Sequence, residues 1–280
     1  MRRDVVAAQP VANLYREPSP DAEVTSQMLY GAAAEVLEAR SGWYCVRTAD
    51  TYTGWVESAS VLPHEQTATG SAAKLIVAVN SANIYGAPDV KHRPLLNLPW
   101  ESRIAALPEA EVARQLSAAG LGEAEAARWT AVRLLDGRDG FVMRGNVAVS
   151  LPRLTLLESI AAAAQRFPGV TYTWGGVSSY GFDCSGFVQM IFRQCGVTLP
   201  RDAALQAEWV GLRTVDDGQP ELGDVVFFGP EAGVVDHVGV SLGGMRFLHD
   251  TTRGVPGVQI GALDEARWRE RFLLRRRLIA

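Results

Sequence analysis

The chain has 280 residues, 48% of them apolar and 21% charged, and carries a net charge of −4 at neutral pH. That is enough chain for two or three globular domains, and the acidic balance argues against nucleic acid or an anionic membrane as the main partner. No apolar run approaches a membrane span, and three cysteines do not suggest a disulfide framework.

The N-terminal stretch 1–10 has two arginines but only a four-residue apolar run, too short for a signal-peptide core. With the low cysteine count this leans toward a reducing compartment. The expectation is a cytoplasmic protein; the alternative is an exported one whose signal lies outside this numbering.

The first half repeats itself. Ala12-Asn13-Leu14-Tyr15-Arg16-Glu17-Pro18 returns as Ala82-Asn83-Ile84-Tyr85-Gly86-Ala87-Pro88, at an offset of 70. Trp43-Tyr44-Cys45-Val46-Arg47 and Gly54-Trp55-Val56 return as Trp129-Thr130-Ala131-Val132-Arg133 and Gly140-Phe141-Val142, at an offset of 86. The second copy therefore carries about 16 further residues, placed in the alanine- and glutamate-rich stretch 109–127, whose propensity is helical. Elsewhere both copies alternate in short runs between Gly, Pro and Asp, the pattern of small antiparallel barrels. Residues 63–73 read as a linker.

The second half reads as one α+β domain. A helix is expected over 153–167, with Leu154, Leu157, Ile160, Ala161 and Ala164 on one face. The next helix opens at Cys184, from which Phe187, Val188, Ile191, Phe192 and Cys195 follow at helical spacing. Gly223 to Gly229 reads as a buried strand. A hairpin follows around Gly243-Gly244, and a last strand spans Phe272 to Leu278. The Arg275-Arg276-Arg277 run reads as the charged edge of that strand.

Cys184 differs from the other two cysteines. It begins its helix behind a polar Asp183, where unpaired backbone N–H groups and the dipole favour thiolate. Cys195 ends the same stripe, and Cys45 lies on a short strand; both read as structural. His237 and His249 follow, so a nucleophile, a base and an orienting group occur in one chain order. Asp236 and Asp250 are rival orienters, but each neighbours a histidine on a strand and points to the opposite face. If His237 and His249 are directly opposed, the turn centres on Gly243 with a loop Leu242-Gly243-Gly244; a two-residue Gly243-Gly244 turn would put His237 opposite Asp250. A zinc reading of Cys184, His237 and His249 lacks any tight ligand pair, so no metal and no cofactor is implied.

Two resemblances follow from these residues. The Ala-Asn-Leu-Tyr-x-x-Pro, Gly-Trp-Tyr-x-Val and Gly-Trp-Val arrangement resembles bacterial SH3-like domains. Tyr172-x-Trp174-Gly175-Gly176, Asp183-Cys184-Ser185-Gly186, Leu199-Pro200-Arg201-Asp202, Gly223-Asp224-Val225-Val226-Phe227-Phe228, His237-Val238-Gly239-Val240 and Leu248-His249 together resemble the NlpC-type cell-wall peptidases. The implied architecture is α+β: SH3-like barrels over 1–66 and 74–150, the second with its helical insertion, then a papain-like catalytic domain over 152–280.

Two SH3-like units before such a domain resemble the subgroup that trims murein peptides with a free N-terminal L-alanine. The implied activity is hydrolysis of the γ-D-glutamyl bond to an L-diamino acid, commonly diaminopimelate. Cys184 would be the nucleophile, His237 the base and His249 its orienter. The implied partner is the murein peptide; the oligomeric state and the diamino acid are not specified by the sequence. The ligand's charges suggest Asp183 for the ammonium, Ser185 and Arg201 for the carboxylate, Tyr172 for the oxyanion and Trp174 as a pocket wall. Asp202 is placed beside them, as cap or as partner of Arg201. Glu17 and Tyr52 best match the subgroup's contacts from the first SH3-like unit. Ala203 replaces a frequent serine, and Asp250-Thr251 replace small residues after His249. The competing readings are a wall-binding protein without catalysis and a papain-like amidase or acyltransferase.

Overall fold

The structure, a computed structural model, describes residues 4–66, 74–215 and 218–279; the greater part of the expected linker, 67–73, lies outside the described residues. Contacts divide the chain into two units: 1–49 with 53–151, and 50–52 with 152–280.

The first unit contains two barrels. In the first, the strand order is Val24–Leu29, Val11–Tyr15, Thr53–Glu57, Trp43–Arg47, Ala33–Arg40, Asp4–Ala7, Val61–Pro63. The second has the same order in the equivalent seven strands, so the sequence repeat is a repeat of topology. Alternation puts Val5, Ala7, Leu14, Val46 and Val56 in one core and Leu75, Val77, Ile84, Val132 and Val142 in the other. Tyr30 of the first copy is buried in the second core, and its hydroxyl accepts a hydrogen bond from the Leu135 N–H at 2.7 Å. The tight approach beside it needs Gly31, at φ +79°, where a Cβ would lie 2.2 Å from the Arg103 carbonyl oxygen. Two helices, Glu109–Ala118 and Glu123–Ala126, interrupt the second barrel. Val112 and Leu116 of the longer one are buried on Tyr85, Trp129 and Phe141.

The second unit opens with α1 (Leu156–Arg166), started by a reciprocal capping box between Thr155 and Glu158. Its buried side is Ser159, Ile160 and Ala163, while Leu157 is 54% exposed. The expected stripe was thus rotated: Ser159 can be buried because its hydroxyl donates to the Ile191 carbonyl at 2.7 Å. α2 (Cys184–Gln194) lies beside it, buried from Cys184 to Phe192. α3 (Ala203–Glu208) follows. The sheet has six strands: β1 (Leu212–Thr214), β2 (Leu222–Phe228), β3 (His237–Leu242), β4 (Arg246–Thr251), β5 (Gly257–Ala262) and β6 (Phe272–Leu278). Their order is β1-β6-β2-β3-β4-β5. α4 (Ala266–Arg269) connects the last two in sequence and buries Trp268.

β6 is therefore an interior strand, and the arginine run does not blunt an edge. Arg275 donates to the Val215 carbonyl at 3.0 Å, Arg276 donates to the Ala207 and Leu212 carbonyls, and Arg277 pairs with Asp224 at 2.6 Å and Glu221 at 2.7 Å. Among the described residues no helix is long and apolar enough to cross a membrane.

Candidate active site

The loop before α2 fixes the nucleophile. Asp183 caps the helix, accepting from the Gly186 N–H at 2.7 Å through Oδ1. Gly186 is required at this crossing, because a Cβ there would lie 2.2 Å from the Gly176 carbonyl oxygen, and Gly176 is required because its own Cβ would lie 2.5 Å from the Gly181 carbonyl oxygen. Arg201 then locks the cap: its Nη2 donates to Asp183 Oδ2 at 2.5 Å and its Nη1 to Oδ1 at 3.0 Å. Ser185 joins both, donating to Asp183 Oδ1 at 3.1 Å and accepting from Arg201 Nη1 at 2.9 Å. Gln206 completes the frame by donating to the Ser185 and Pro200 carbonyls.

Three of the predicted site residues are thus bonded to one another: Asp183, Ser185 and Arg201 form one buried network next to the cysteine in the chain. Asp202 is half-buried at the start of α3, and its charge adds to that of Asp183 on Arg201.

The thiol itself departs from expectation. Burial pushes the Cys184 thiol up, to about 12, and the charge of Asp183 pushes the same way. The Val238 and Ser185 N–H groups and Arg201 oppose this without overcoming it. The helix N-terminus alone does not produce a resting thiolate, so the thiol needs a base.

That base begins β3. The Val238 N–H lies toward the sulfur, one residue along the strand from His237. His237 Nε2 is 2.8 Å from His249 Nδ1. With Nε2 so engaged, His237 Nδ1 is left for the thiol proton. The tautomer in which His237 Nδ1 can take that proton is the one in which His237 donates its Nε2–H to His249 Nδ1 and His249 carries its own proton on Nε2. That Nε2 is buried without a hydrogen-bond partner among the described residues. Burial lowers both histidines, His237 to about 3 and His249 to about 2, so both rest neutral.

The register that brings them together is not the expected one. Val240 pairs with Leu248 and Ser241 with Phe247. The loop is Gly243-Gly244-Met245, with both glycines at positive φ. His237 and His249 share a face, but as a diagonal pair one step apart rather than directly opposed. The odd loop is retained; its centre moves from Gly243 to Gly244. Asp250 falls on the other face, and the exposed Asp236 pairs with Arg271 at 2.6 Å, so neither aspartate orients His237.

Tyr172 is half-buried, bridged to Phe182, and its hydroxyl is held well above the usual tyrosine range by burial and by the charges of Cys184, Asp183 and Asp250. It stays a proton donor within electrostatic reach of the nucleophile. Trp174 is 62% exposed, a surface ring rather than core. Tyr52 is half-buried in the 50–52 loop that groups with this unit, where the Gln189 side-chain amide donates to Asp50 at 2.8 Å. Glu17 is exposed in the first unit. Among the described residues no group of three His, Cys, Asp or Glu side chains is placed to hold a metal ion.

A cysteine at a helix start, with a strand histidine held by a second histidine, is a thiol-hydrolase constellation. Residues 169–277 match the NlpC/P60 family, and residues 14–61 match the bacterial dipeptidyl-peptidase SH3 domain. The C-terminal unit carries an NlpC/P60 peptidase domain. The whole chain is similar to dipeptidyl-peptidase 6 of Lysinibacillus sphaericus, 26% identical over 264 residues, covering 91% of this chain and 90% of that protein. It is also similar to the γ-D-glutamyl-L-lysine dipeptidyl-peptidase of Bacillus cereus, 25% identical over 268 residues, 92% of this chain and 76% of that one. The Bacillus subtilis protein of the same name is 40% identical over 110 residues, 39% of this chain and 36% of its own. A solved NlpC/P60 family protein from Bacillus cereus shares the fold, with a TM-score of 0.77 at 21% identity, covering 99% of this chain and all of that one.

Several residues that shape the NlpC/P60 site escaped the sequence reading. Gln206 carries no motif. Gly261 lies beside the second histidine: a Cβ there would be 2.7 Å from the Phe247 ring and 3.0 Å from His249 Nε2. The glycine inside the β5 pattern was the available signal, since a strand glycine often marks a close approach.

Proposed function

We propose that the protein hydrolyses the γ-D-glutamyl bond to an L-diamino acid in murein peptides, releasing L-Ala-D-Glu from a free N-terminus. One observation carries the chemistry: the His237–His249 bond, one residue from the Val238 N–H that lies toward the Cys184 sulfur. The name of the Bacillus cereus relative, a γ-D-glutamyl-L-lysine dipeptidyl-peptidase matched over 92% of this chain, supports the bond cleaved. Cys184 Sγ attacks the γ-carbonyl while its proton passes to His237 Nδ1. That proton leaves on the amine of the diamino acid as the C–N bond breaks. Water, deprotonated by His237, then hydrolyses the thioester and restores the thiol. The Cys184 N–H at the helix start and the Tyr172 hydroxyl stabilise the oxyanion.

The test is to incubate the protein with L-Ala-γ-D-Glu-diaminopimelate and with the lysine peptide, each free and N-acetylated, and to follow products by mass. Release of L-Ala-D-Glu from the free peptides, with the acetylated ones cut far more slowly, is expected. Glu17→Gln is expected to raise KM for the free peptides and leave the acetylated ones unchanged. Equal rates on free and capped peptides would overturn the free-amine requirement. No cleavage at all would favour a wall-binding protein, and transfer to an added amine in place of hydrolysis an acyltransferase. A cytoplasmic location belongs to the same proposal, and cell fractionation tests it against export.

A further inference from the structure

Trp268 has no role in the chemistry described so far, yet it touches both histidines. Its ring stacks on His237, with centroids 5.1 Å apart and planes at 22°. It meets His249 edge to face, at 4.8 Å and 82°. Phe228 and Phe247 hold it from other sides, at 5.2 and 5.4 Å. The residue is 1% exposed, and its Nε1–H has no hydrogen-bond partner among the described residues. A buried, unpartnered N–H is a cost that a phenylalanine or leucine would avoid. The larger, electron-rich ring must supply something in return.

What it faces decides what that is. His237 rests neutral but becomes an imidazolium when it takes the Cys184 proton. A cation over the face of an indole is stabilised by the ring's quadrupole, and more strongly where water is excluded. The charges around the pair offer little alternative support. Asp236 favours the imidazolium but is itself paired with Arg271, while Arg253 and Arg271 oppose it on His237 and Arg267 opposes it on His249. Arg267 also lies 5.9 Å from the Trp268 ring, but pairs with Glu265 at 2.7 Å.

We propose that Trp268 is a positioning residue of the catalytic pair: its π face stabilises the imidazolium that His237 becomes when the Cys184 proton is transferred, and its stack fixes the ring plane for that transfer. The proposal rests on Cys184 and His237 acting as nucleophile and base, and on nothing about the substrate.

The test therefore uses no substrate. Iodoacetamide alkylates the thiolate, forming an S–C bond and releasing iodide, while the proton lost by sulfur stays on His237. The rate at Cys184, read by peptide mass against pH, has a neutral plateau set by the ion pair and a rise at high pH set by direct ionisation. Trp268→Leu stays apolar and removes the π face; it is expected to lower the plateau about tenfold and leave the alkaline rise unchanged, and the fluorinated tryptophans below separate the loss of the π face from the loss of volume. Should that variant fail to fold, mono- and trifluorinated tryptophan placed at position 268 keep the shape and drain the π face. The plateau is then expected to fall with each step of fluorination. A Trp268→Leu plateau equal to wild type, or a plateau indifferent to fluorination, overturns the proposal. His237→Ala separates the two levels of inference. If it is alkylated like wild type at neutral pH, the nucleophile–base reading fails; if it is slow while the Trp268 variants match wild type, only the assignment of Trp268 fails.

Discussion

On one face of the β3–β4 hairpin, His237 and His249 bond to each other inside a ring of Phe228, Phe247 and Trp268. On the other face, Asp250 lies within electrostatic reach of Asp183 and Tyr172, close to where Arg201, Ser185 and Cys184 are knitted together. The first face is aromatic and uncharged at rest; the second is built of ions. Both use burial to hold a titratable group away from its ordinary protonation state, but in opposite senses. The histidines lose their protons, while the thiol and the Asp250 carboxyl keep theirs. Catalysis needs one proton to pass from Cys184 to His237, and the Val238 N–H, one residue from His237, ties that strand to the sulfur.

The largest expected effects come from removing that crossing. Cys184→Ala is expected to lower kcat/KM by at least about three orders of magnitude with the fold unchanged, measured by turnover and circular dichroism. Cys45→Ala and Cys195→Ser are expected to leave turnover within about twofold, because neither side chain meets reacting atoms. On the histidine side, His249→Asn keeps an acceptor for the His237 Nε2–H and is expected to retain more activity than His249→Leu. Equal losses in the two would mean that His249 fills space rather than orients.

The ionic side is broken in its structure rather than its chemistry. Arg201→Leu leaves the Asp183 carboxylate buried and unpaired and is expected to destabilise the protein by about 3–5 kcal/mol, read from denaturant unfolding. Adding Asp183→Asn should restore a large part of that loss. A full-strength loss in the double variant would show that Arg201 matters through packing alone.

How much of this contrast was legible in the sequence follows from how local each part is. Cys184, His237 and His249 stand in short motifs whose chemistry is carried by residue type and order. The Asp183–Arg201 pair spans 18 residues and depends on the loop that returns at Pro200, so the sequence shows two charges and not their bond. The hairpin was displaced by one residue because Gly243 and Gly244 both tolerate positive φ, and either can centre the turn. The arginine run looked like an edge because β1 is only three residues long and too short to announce itself. Trp268 sits in a four-residue helix, which gives no periodicity to read. The rotated face of α1 had a signal that was passed over: Thr155 and Glu158 form a capping box in the sequence itself.

Smaller than these effects is a substitution that tightens the aromatic side by one methyl. Gly261→Ala puts a Cβ against the Phe247 ring and His249 Nε2, and either ring must shift by tenths of an ångström. Turnover is expected to fall about tenfold to a hundredfold through kcat, with KM little changed, because misplacement acts on the proton transfer. Ala at this position with unchanged kcat would show that the His249 ring has room to move.

The smallest effect is the most diagnostic of the contrast, because it reads both faces in one titration. His237 and His249 have folded values near 3 and 2, below the value of about 6.5 expected in the unfolded chain. As pH falls below about 6.5 the unfolded chain takes up protons that the folded state refuses. Stability is therefore full above that point and is lost on acidification, by up to about 1.4 kcal/mol per pH unit for each histidine. Asp250 runs the other way. Its folded value is raised to about 8 by burial, with Asp183 adding to it, against about 3.9 in the unfolded chain. Between those values the folded state keeps a proton that the unfolded chain releases, so its contribution is full below about pH 4 and is lost as pH rises through 8. In the acid range the two histidines outweigh the one carboxyl; above about pH 6.5 only the carboxyl still changes. Stability from these three groups should peak near pH 6.5, with slopes of similar size on the two sides down to about pH 4 and a steeper acid loss below that. Asp250→Asn removes a decline that runs from about pH 4 to 8: the variant should lose stability more steeply than wild type on acidification from about pH 6.5 to 4, and stay flat from about pH 6.5 to 8 in denaturant melts. An alkaline decline that survives Asp250→Asn would place the ionising group elsewhere and leave the carboxyl charged in the fold.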